Sequence, residues 1–454
     1  MLFTIHDLIQ LFPNTKGNIV NSTTIQSVST DSRKKMVDAL FVPIIGENFD
    51  GHDYLAEAIS HGAIAALWDN ETEIPASIPN GFPLLLVDDT IKALQQLSQY
   101  YRRKINPLVI GITGSNGKTT TKDLVGQILK TTFKTHVTKG NFNNHIGLPL
   151  TVLSMPRDTE MLVLEMGMNH AGEMTLLANI AEPDVAIITN IGESHIEYLG
   201  SRENIAKAKL EILSGLKKNG LLIIDGDEPL LSRNFISYQK IGIGTTEKAD
   251  VLLKDIKLTN KGTTFTINDQ TYQIPLYGIH HAKNASFAIV LGEHLNLDEH
   301  MIKKALQQPH MTDMRFEMLK GINGVTLIND AYNASPTSMK ASIDVINQLQ
   351  GYKEKVLVLG DMFELGTEKE EWHRSIAHVI DEEINALFTI GDYAHMIADE
   401  VNKQGKQISC YQVKSINTFL KQIRPYVHKD ALILFKASRG MRLEDWMEKL
   451  LLDK

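Results

Sequence analysis

Glycines at 111, 114 and 117, followed directly by Lys118 and Thr119, are residue types suited to holding phosphate. Lacking side chains, such glycines let backbone N–H groups close on phosphate oxygens, and the positive end of a following helix adds to the attraction. The Lys118 ammonium would neutralise charge on the outer phosphates, and Thr119 stands where phosphate loops place a hydroxyl ligand for Mg²⁺. The common spacing G-x-x-x-x-G-K-[ST] would put glycine at 112, where this chain has Ile112. The stretch therefore reads as a variant phosphate loop. Its bare pattern serves an NTPase, a kinase or a ligase equally.

Three further side chains are candidates for chemistry near that loop. Glu165 ends the apolar run LVLE and His195 follows the run VAIITNI. Both then fall at C-terminal strand ends, the rim at which a doubly wound sheet binds its ligands, and both are candidate Mg²⁺ ligands. In the helical stretch from Glu203 to about Lys218, Ile205, Lys209, Ile212, Leu213 and Leu216 share one face, so Lys209 points inward and Lys207 does not. An amine on an apolar face has a depressed pKa. Its neutral form can react with CO₂ to give a carbamate, an anion able to bridge Mg²⁺.

These residues need a scaffold, and hydrophobic patterning supplies it. PLVIGIT, GSNGKTT and KDLVGQILK read as strand, glycine-rich turn and helix; MLVLEMG, VAIITNI and GLLIIDGD read as further buried strands separated by helix-length segments. Upstream, the short strands ALFVPI, AIAALW and PLLLV alternate with helical patterns, and a helix from Thr90 runs into the polar, Pro-terminated YYRRKINP. From Val251 to Leu276, alternation with turn signals at NKG and ND predicts an antiparallel extension of the central sheet, closed off by a helix beginning near His280. After a break around Pro309 to Thr312, VTLIND, KVLVLGD, ALFTIGD and ALILFKAS recur as strands between helices. The expected fold is α/β in three domains: an N-terminal α/β unit (1–105), a central doubly wound P-loop ATPase-type unit (106–310) and a C-terminal Rossmann-like α/β unit (311–454).

Composition narrows the class. The 454 residues are 43% hydrophobic and 22% charged, near globular averages, so sizeable cores are available. A net charge of -8 leaves no broad basic surface for nucleic acid or anionic lipid, so anionic ligands must meet local sites. Cys410 is the single cysteine, which allows no internal disulfide and fits a reducing compartment. The opening MLFTIHDLIQLF carries His6 and Asp7 inside its apolar run and reads as an amphipathic helix, not a signal peptide. No run approaches the ~18 apolar residues of a membrane span. A cytoplasmic protein without membrane insertion or a nucleic-acid partner is expected.

The spacing G-x-x-G-x-x-G-K-T-T resembles the ATP site of the Mur ligases and their folylpolyglutamate synthetase relatives. KGNFNNHIGLPL (139–150), LEMG (164–167), TNIGESH (189–195), AKAKLEI (206–212), GIHHAKNA (278–285), NDAYNASP (329–336), LGDMFELG (359–366) and KASRG (436–440) look like family blocks in the same order. TDSR (30–33) and GENFDGHD (46–53) resemble the UDP-sugar-binding domain of the member that adds D-alanyl-D-alanine, and the DNPR signature of diaminopimelate-adding members is missing. One departure is His281, where the family usually has Asn after the histidine; His280 and Asn284 are kept.

The resemblance implies an ATP- and Mg²⁺-dependent ligase that activates a carboxylate as an acyl phosphate. Its expected substrates are UDP-N-acetylmuramoyl-tripeptide and D-alanyl-D-alanine, and its expected state is a monomer. By family position, Gly114, Ser115, Asn116, Gly117, Lys118, Thr119 and Thr120 surround the ATP phosphates. Likewise His280 and Asn284 contact the base or ribose, Asp330 holds the ribose, and Arg315 reaches the phosphates from the third domain. Lys118, Lys209, His195 and Glu165 are the implied catalytic set; Thr119, Glu165, His195 and a carbamylated Lys209 are the implied metal set. Asn143 and Asn144 are expected at the muramyl substrate, and Ser32 and Arg33 at its uridine diphosphate. For the dipeptide the candidates are Asn333, Ser335, Lys436, Ser438 and Arg439, a cation being wanted for its carboxylate. Another Mur-type ligase, adding the third residue or glutamate to a folate, and a P-loop NTPase that joins nothing are the alternatives.

Overall fold

Uninterrupted runs of β-branched and apolar residues make the interior strands of a parallel sheet covered on both faces. Four such runs lie in the centre of this chain, whose computed structural model describes residues 1–232 and 238–452, and they belong to a sheet of seven strands. All are parallel, in the order Val251–Leu252, Gln239–Gly244, Leu221–Asp225, Val185–Ile188, Leu108–Thr113, Met161–Glu165, Thr135–Val137. Leu108–Thr113 has its later neighbours on opposite sides, so the winding reverses at the strand that carries the phosphate loop. Crevices at such reversals are where open α/β sheets bind ligands. Alternation along each strand divides the interior. Leu162, Leu164, Ala186, Ile188, Leu222 and Ile224 face one core. Val163, Val185, Ile187, Leu221 and Ile223 face the other, beneath the helices Lys118–Leu129 and Ile279–His294.

Two expectations change. The segment after Val251 does not extend the central sheet as antiparallel strands. Val251–Leu252 is the last parallel strand, and Lys254–Thr259, Gly262–Ile267 and Gln270–Ile274 form a separate three-stranded antiparallel sheet. Alternation marks a strand with one wet face but does not say which sheet it joins. The helix bearing Lys209 is also shorter than its apolar pattern suggests: Arg202–Leu210 is α-helical, and the face continues through a 3₁₀ turn at Glu211–Ser214.

The N-terminal unit is a five-stranded sheet ordered Thr15–Lys16, Leu84–Val87, Ala63–Asp69, Ala39–Phe41, Ser27–Ser29, parallel apart from its first pair. Helix Thr90–Ile105, capped by the Asp89 side chain on Lys92 N–H and ended by Asn106 in a left-handed conformation, joins it to the centre. Its buried face of Ala93, Leu94, Leu97 and Tyr101 lies in the same core as Val152, Leu153, Met155 and Leu177 of the central unit. Arg102, 2% exposed, donates to the carbonyls of Ala181 and Glu182.

The C-terminal unit is a six-stranded sheet ordered Glu317–Lys320, Thr326–Asn329, Ala431–Lys436, Glu354–Gly360, Ala386–Ile390, Ser409–Val413, with only the Glu317–Lys320 edge antiparallel. It has its own cores on both faces. It docks on the central unit through Thr312 N–H to Asp123 Oδ2 (2.9 Å), Arg315 to Thr119, Ser335 to Asn116 and Thr337 to Glu193. Among the described residues no helix is long and apolar enough to cross a membrane.

Candidate active site

The phosphate loop is shaped by backbone conformations that side chains would obstruct. Gly114 has φ 148°, and a Cβ there would stand 1.9 Å from Thr189 Oγ1; Gly117 has φ 80°, and its Cβ would stand 2.4 Å from Asn284 Oδ1. Gly117 is also the N-cap of Lys118–Leu129 and offers no side-chain acceptor. The first N–H groups of that helix are therefore free for an anion. The TNIGESH block braces the loop: Thr189 Oγ1 donates to the Asn116 carbonyl (2.5 Å), Asn116 N–H to Asn190 Oδ1 (2.9 Å), and Ser115 N–H to the Asn190 carbonyl (3.1 Å). Lys118 Nζ folds back on the carbonyls of Gly114 (2.6 Å) and Ser115 (3.3 Å). Burial lowers its pKa to about 8, opposed by Glu165 and reinforced by Arg315.

Loop, strand ends and the third domain surround one cavity of about 470 Å³, within the usual range for small-ligand sites. Ser115 to Thr120, Asn143, Asn144, Glu165, His195, His280, Asn284, Arg315, Asp330, Asn333 and Lys436 all line it. Glu165, 3% exposed, accepts from Asn143 Nδ2 at 2.8 Å through Oε1, while its buried Oε2 has no partner. A buried carboxylate oxygen left open in a phosphate site suits Mg²⁺, and Thr119 lines the same cavity. Among the described residues no three His, Cys, Asp or Glu side chains gather as a metal cluster. Mg²⁺ commonly takes only one or two protein ligands and completes its shell with phosphates and water. Asn143 is thus a brace for Glu165, and Asn144 Oδ1 accepts from the N–H groups of Ile146 and Gly147.

His195 has φ 64° and its Nδ1 lies 2.6 Å from Glu364 Oε2, an approach too bent to satisfy the imidazole as a hydrogen bond. Lys209 is 1% exposed; desolvation, then Lys118, drive its pKa well below the ordinary lysine value, and no carboxylate offsets them. It does not line the cavity. The His280 and His281 rings lie 4.2 Å apart, tilted by 45°; neither ring nitrogen of His281 has a partner, nor does His280 Nδ1.

From the third domain, Arg315 donates to Thr119 Oγ1 at 3.2 Å and lies 4.0 Å over the Tyr332 ring. The Asp330 carboxylate accepts from Phe316 N–H, Ser342 Oγ (2.7 Å) and Lys436 Nζ (2.6 Å), so Asp330 and Lys436 spend much of their capacity on each other. Asn333 Oδ1 accepts from Ala334 N–H; Ser335 caps the helix Pro336–Gln348 and donates to Asn116 Oδ1 (3.1 Å). Ser438 Oγ accepts from Phe363 N–H, and Arg439, half exposed, pairs with Glu444, both outside the cavity lining. Ser32 and Arg33 lie in the N-terminal unit, likewise outside it: Ser32 Oγ donates to Glu57 (2.5 Å), and Arg33 is exposed against Asp31.

Sequence reasoning did not single out every residue at or beside the site, and three charged ones are instructive. Lys283 lines the cavity and is fixed by Asp225 (2.6 Å) and Asp227 (3.0 Å), and Glu193 accepts from both the N–H and the hydroxyl of Thr337. Glu364 faces His195 from the other domain. All three sit inside quoted blocks or at strand ends, yet their partners are remote in sequence, and no periodicity reports such pairs.

A phosphate loop at the switch point of a parallel sheet, completed by an arginine from a second α/β domain, defines a nucleotide-using enzyme whose site is assembled between domains. Comparison with known proteins makes this specific. The models described as Mur ligase family, catalytic domain; Mur ligase middle domain; and Mur ligase, glutamate ligase domain match residues 24–102, 112–292 and 314–439. A UDP-N-acetylmuramoyl-tripeptide–D-alanyl-D-alanine ligase of Bacillus subtilis is 47% identical over 445 residues, 96% of each chain. Among solved structures, MurF from Acinetobacter baumannii superposes with a TM-score of 0.87 at 30% identity, covering 99% of this chain and 98% of its own. The MurF ligase from Thermotoga maritima in complex with ADP gives 0.81 at 28% identity, covering 93% and 96%. The chain belongs to the Mur ligase family.

Proposed function

We propose that this protein joins D-alanyl-D-alanine to UDP-N-acetylmuramoyl-tripeptide, with ATP cleaved to ADP and phosphate, as a cytoplasmic monomer supplying a peptidoglycan precursor. The observation that carries the reading is the cavity in which the phosphate loop, the unpartnered Glu165 oxygen and the cross-domain Arg315 meet. The 47% identity to a ligase of that name supports the choice of substrates. In this reading residues 1–105 hold the UDP-sugar, 106–310 the ATP and 311–454 the dipeptide.

The terminal carboxylate of the tripeptide attacks the γ-phosphorus, the bond to the ADP oxygen breaks, and an acyl phosphate forms. The dipeptide amine then attacks the acyl carbon, expels phosphate and gives up a proton. Lys118 and Arg315 neutralise charge spread over the transferring group, and the free N–H groups after Gly117 orient it. Thr119 and the open oxygen of Glu165 would hold Mg²⁺, which when bound supplies further charge neutralisation. His195 completes the rim, and Asn143 keeps Glu165 in place. Docking of the third domain excludes water from the acyl phosphate. Lys209 is a carbamate in the working enzyme: it is buried, burial lowers its pKa, and the neutral form of an amine is the one that reacts with CO₂. Absence of a carbamate carbon signal after equilibration with ¹³C-bicarbonate would remove that part.

The test of the reaction is oxygen-18 placed in the tripeptide carboxylate. One labelled oxygen should appear in the released phosphate, and ADP release should require both substrates. Product formation with unlabelled phosphate, or ADP release with neither substrate present, sinks the reading.

A further inference from the structure

His195 belongs to the central domain, yet the group facing its Nδ1 comes from the C-terminal one. Besides the 2.6 Å approach of Glu364 Oε2, Glu197 N–H donates to the Glu364 carbonyl at 3.1 Å. Both partners hold left-handed backbone conformations, φ 64° at His195 and 61° at Glu364, which residues with side chains keep only where their surroundings enforce them. The loop carrying Glu364 is fixed from behind by its own domain. The Asp361 carboxylate accepts three successive N–H groups, from Asp392, Tyr393 and Ala394, at 2.7 to 3.0 Å. His373 Nε2 accepts from Met362 N–H at 3.0 Å and Ser438 Oγ from Phe363 N–H at 2.8 Å. At the loop's far end, a Cβ on Gly366 would stand 3.3 Å from Glu197 Cα, so the two domains are in close approach there. Glu364 therefore meets the imidazole as part of a rigid body.

His195 lines the cavity and Glu364 does not, so any influence of Glu364 on the chemistry passes through the imidazole. A carboxylate beside one ring nitrogen is a common means of fixing the orientation of an imidazole. The present contact is bent, as such contacts commonly are before the reacting complex forms. We propose that Glu364, contributed across the domain junction, is a positioning residue for His195. This rests on the ligase reading above and adds to it a residue of the C-terminal domain that acts through one of the central domain.

The experiment is steady-state ligation by the full chain carrying E364A, E364Q, H195N, or H195N with E364A. E364A should lower kcat by about tenfold or more while KM for ATP and for the UDP-tripeptide stays within roughly threefold. E364Q keeps a carbonyl acceptor for Nδ1–H and nearly the same shape, so it should recover most of the loss. In the H195N background, E364A should cost nothing further. Wild-type kcat in E364A, or the same fold-loss in both backgrounds, overturns the inference while leaving the ligase reading intact. A folded wild-type chain that forms no product sinks both.

Discussion

His281 is the residue at which this chain departs from its resemblance, and its surroundings make the departure measurable. It is 5% exposed, neither ring nitrogen has a partner, and desolvation, then His280, Lys436 and Arg315, hold its pKa well below the ordinary histidine value. Burial pushes neighbouring His280 down to about 4. The unfolded chain therefore takes up protons as pH falls through about 6.5, before the folded chain does. The sign follows: stability is full above about pH 6.5 and is lost as pH falls towards the folded values, by at most ~1.4 kcal/mol per pH unit for each group. An amide at 281 does not titrate. His281→Asn should therefore show a smaller fall in melting temperature between about pH 7.5 and pH 5 than the parent chain. Equal falls in the two proteins would mean that His281 is solvated or already bonded.

At the scale of elements, legibility followed hydrophobic pattern and glycine. The four runs that became Leu108–Thr113, Met161–Glu165, Val185–Ile188 and Leu221–Asp225 are apolar almost throughout and are buried throughout their length, apart from half-buried Leu108. Strand-end placement then brought Glu165 and His195 to the right rim. What stayed hidden was whatever depends on distant partners. Asp330 and Lys436, expected at the ribose and the dipeptide, both line the cavity, and the fold pairs them at 2.6 Å, which no sequence pattern announces. The separate sheet at Lys254–Ile274 was invisible for the same reason, since alternation carries no address. The glycine turn is where element and site coincide, which makes Gly117→Ala informative. The added methyl must meet Asn284 Oδ1 at 2.4 Å in a left-handed conformation. Strain of ~1–3 kcal/mol should lower the melting temperature by only several degrees in a protein this large. ADP affinity by calorimetry should drop by at least about tenfold, because the N–H groups that would hold phosphate move with the turn. Wild-type affinity would show that nucleotide binds elsewhere.

For the whole molecule, the two domain junctions are built differently. The N-terminal sheet and one face of the central sheet share a continuous core through the helix Thr90–Ile105, with Arg102 buried at the seam and paired to Glu182. The C-terminal sheet instead has cores of its own on both faces, with Ile196 and Tyr277 of the central unit packed at the margin of one, and it meets the centre also through polar contacts such as Arg315–Thr119 and Thr337–Glu193. Interfaces of the second kind open and close, whereas a shared apolar core does not divide without exposing it. A fragment ending at residue 310 should therefore melt cooperatively and bind ADP more weakly than the full chain, having lost Arg315. A fragment ending at residue 105 should lack a cooperative melt and bind a hydrophobic dye, because Leu94, Leu97 and Tyr101 lose their cover. Calorimetry on the two fragments decides it. A sharp transition in the shorter one would mean that the seam at Thr90–Ile105 is a docking surface and that the N-terminal unit is free to move. Loss of cooperativity in the longer one would mean that the C-terminal domain is part of the central fold, leaving no independent body whose docking could time the chemistry.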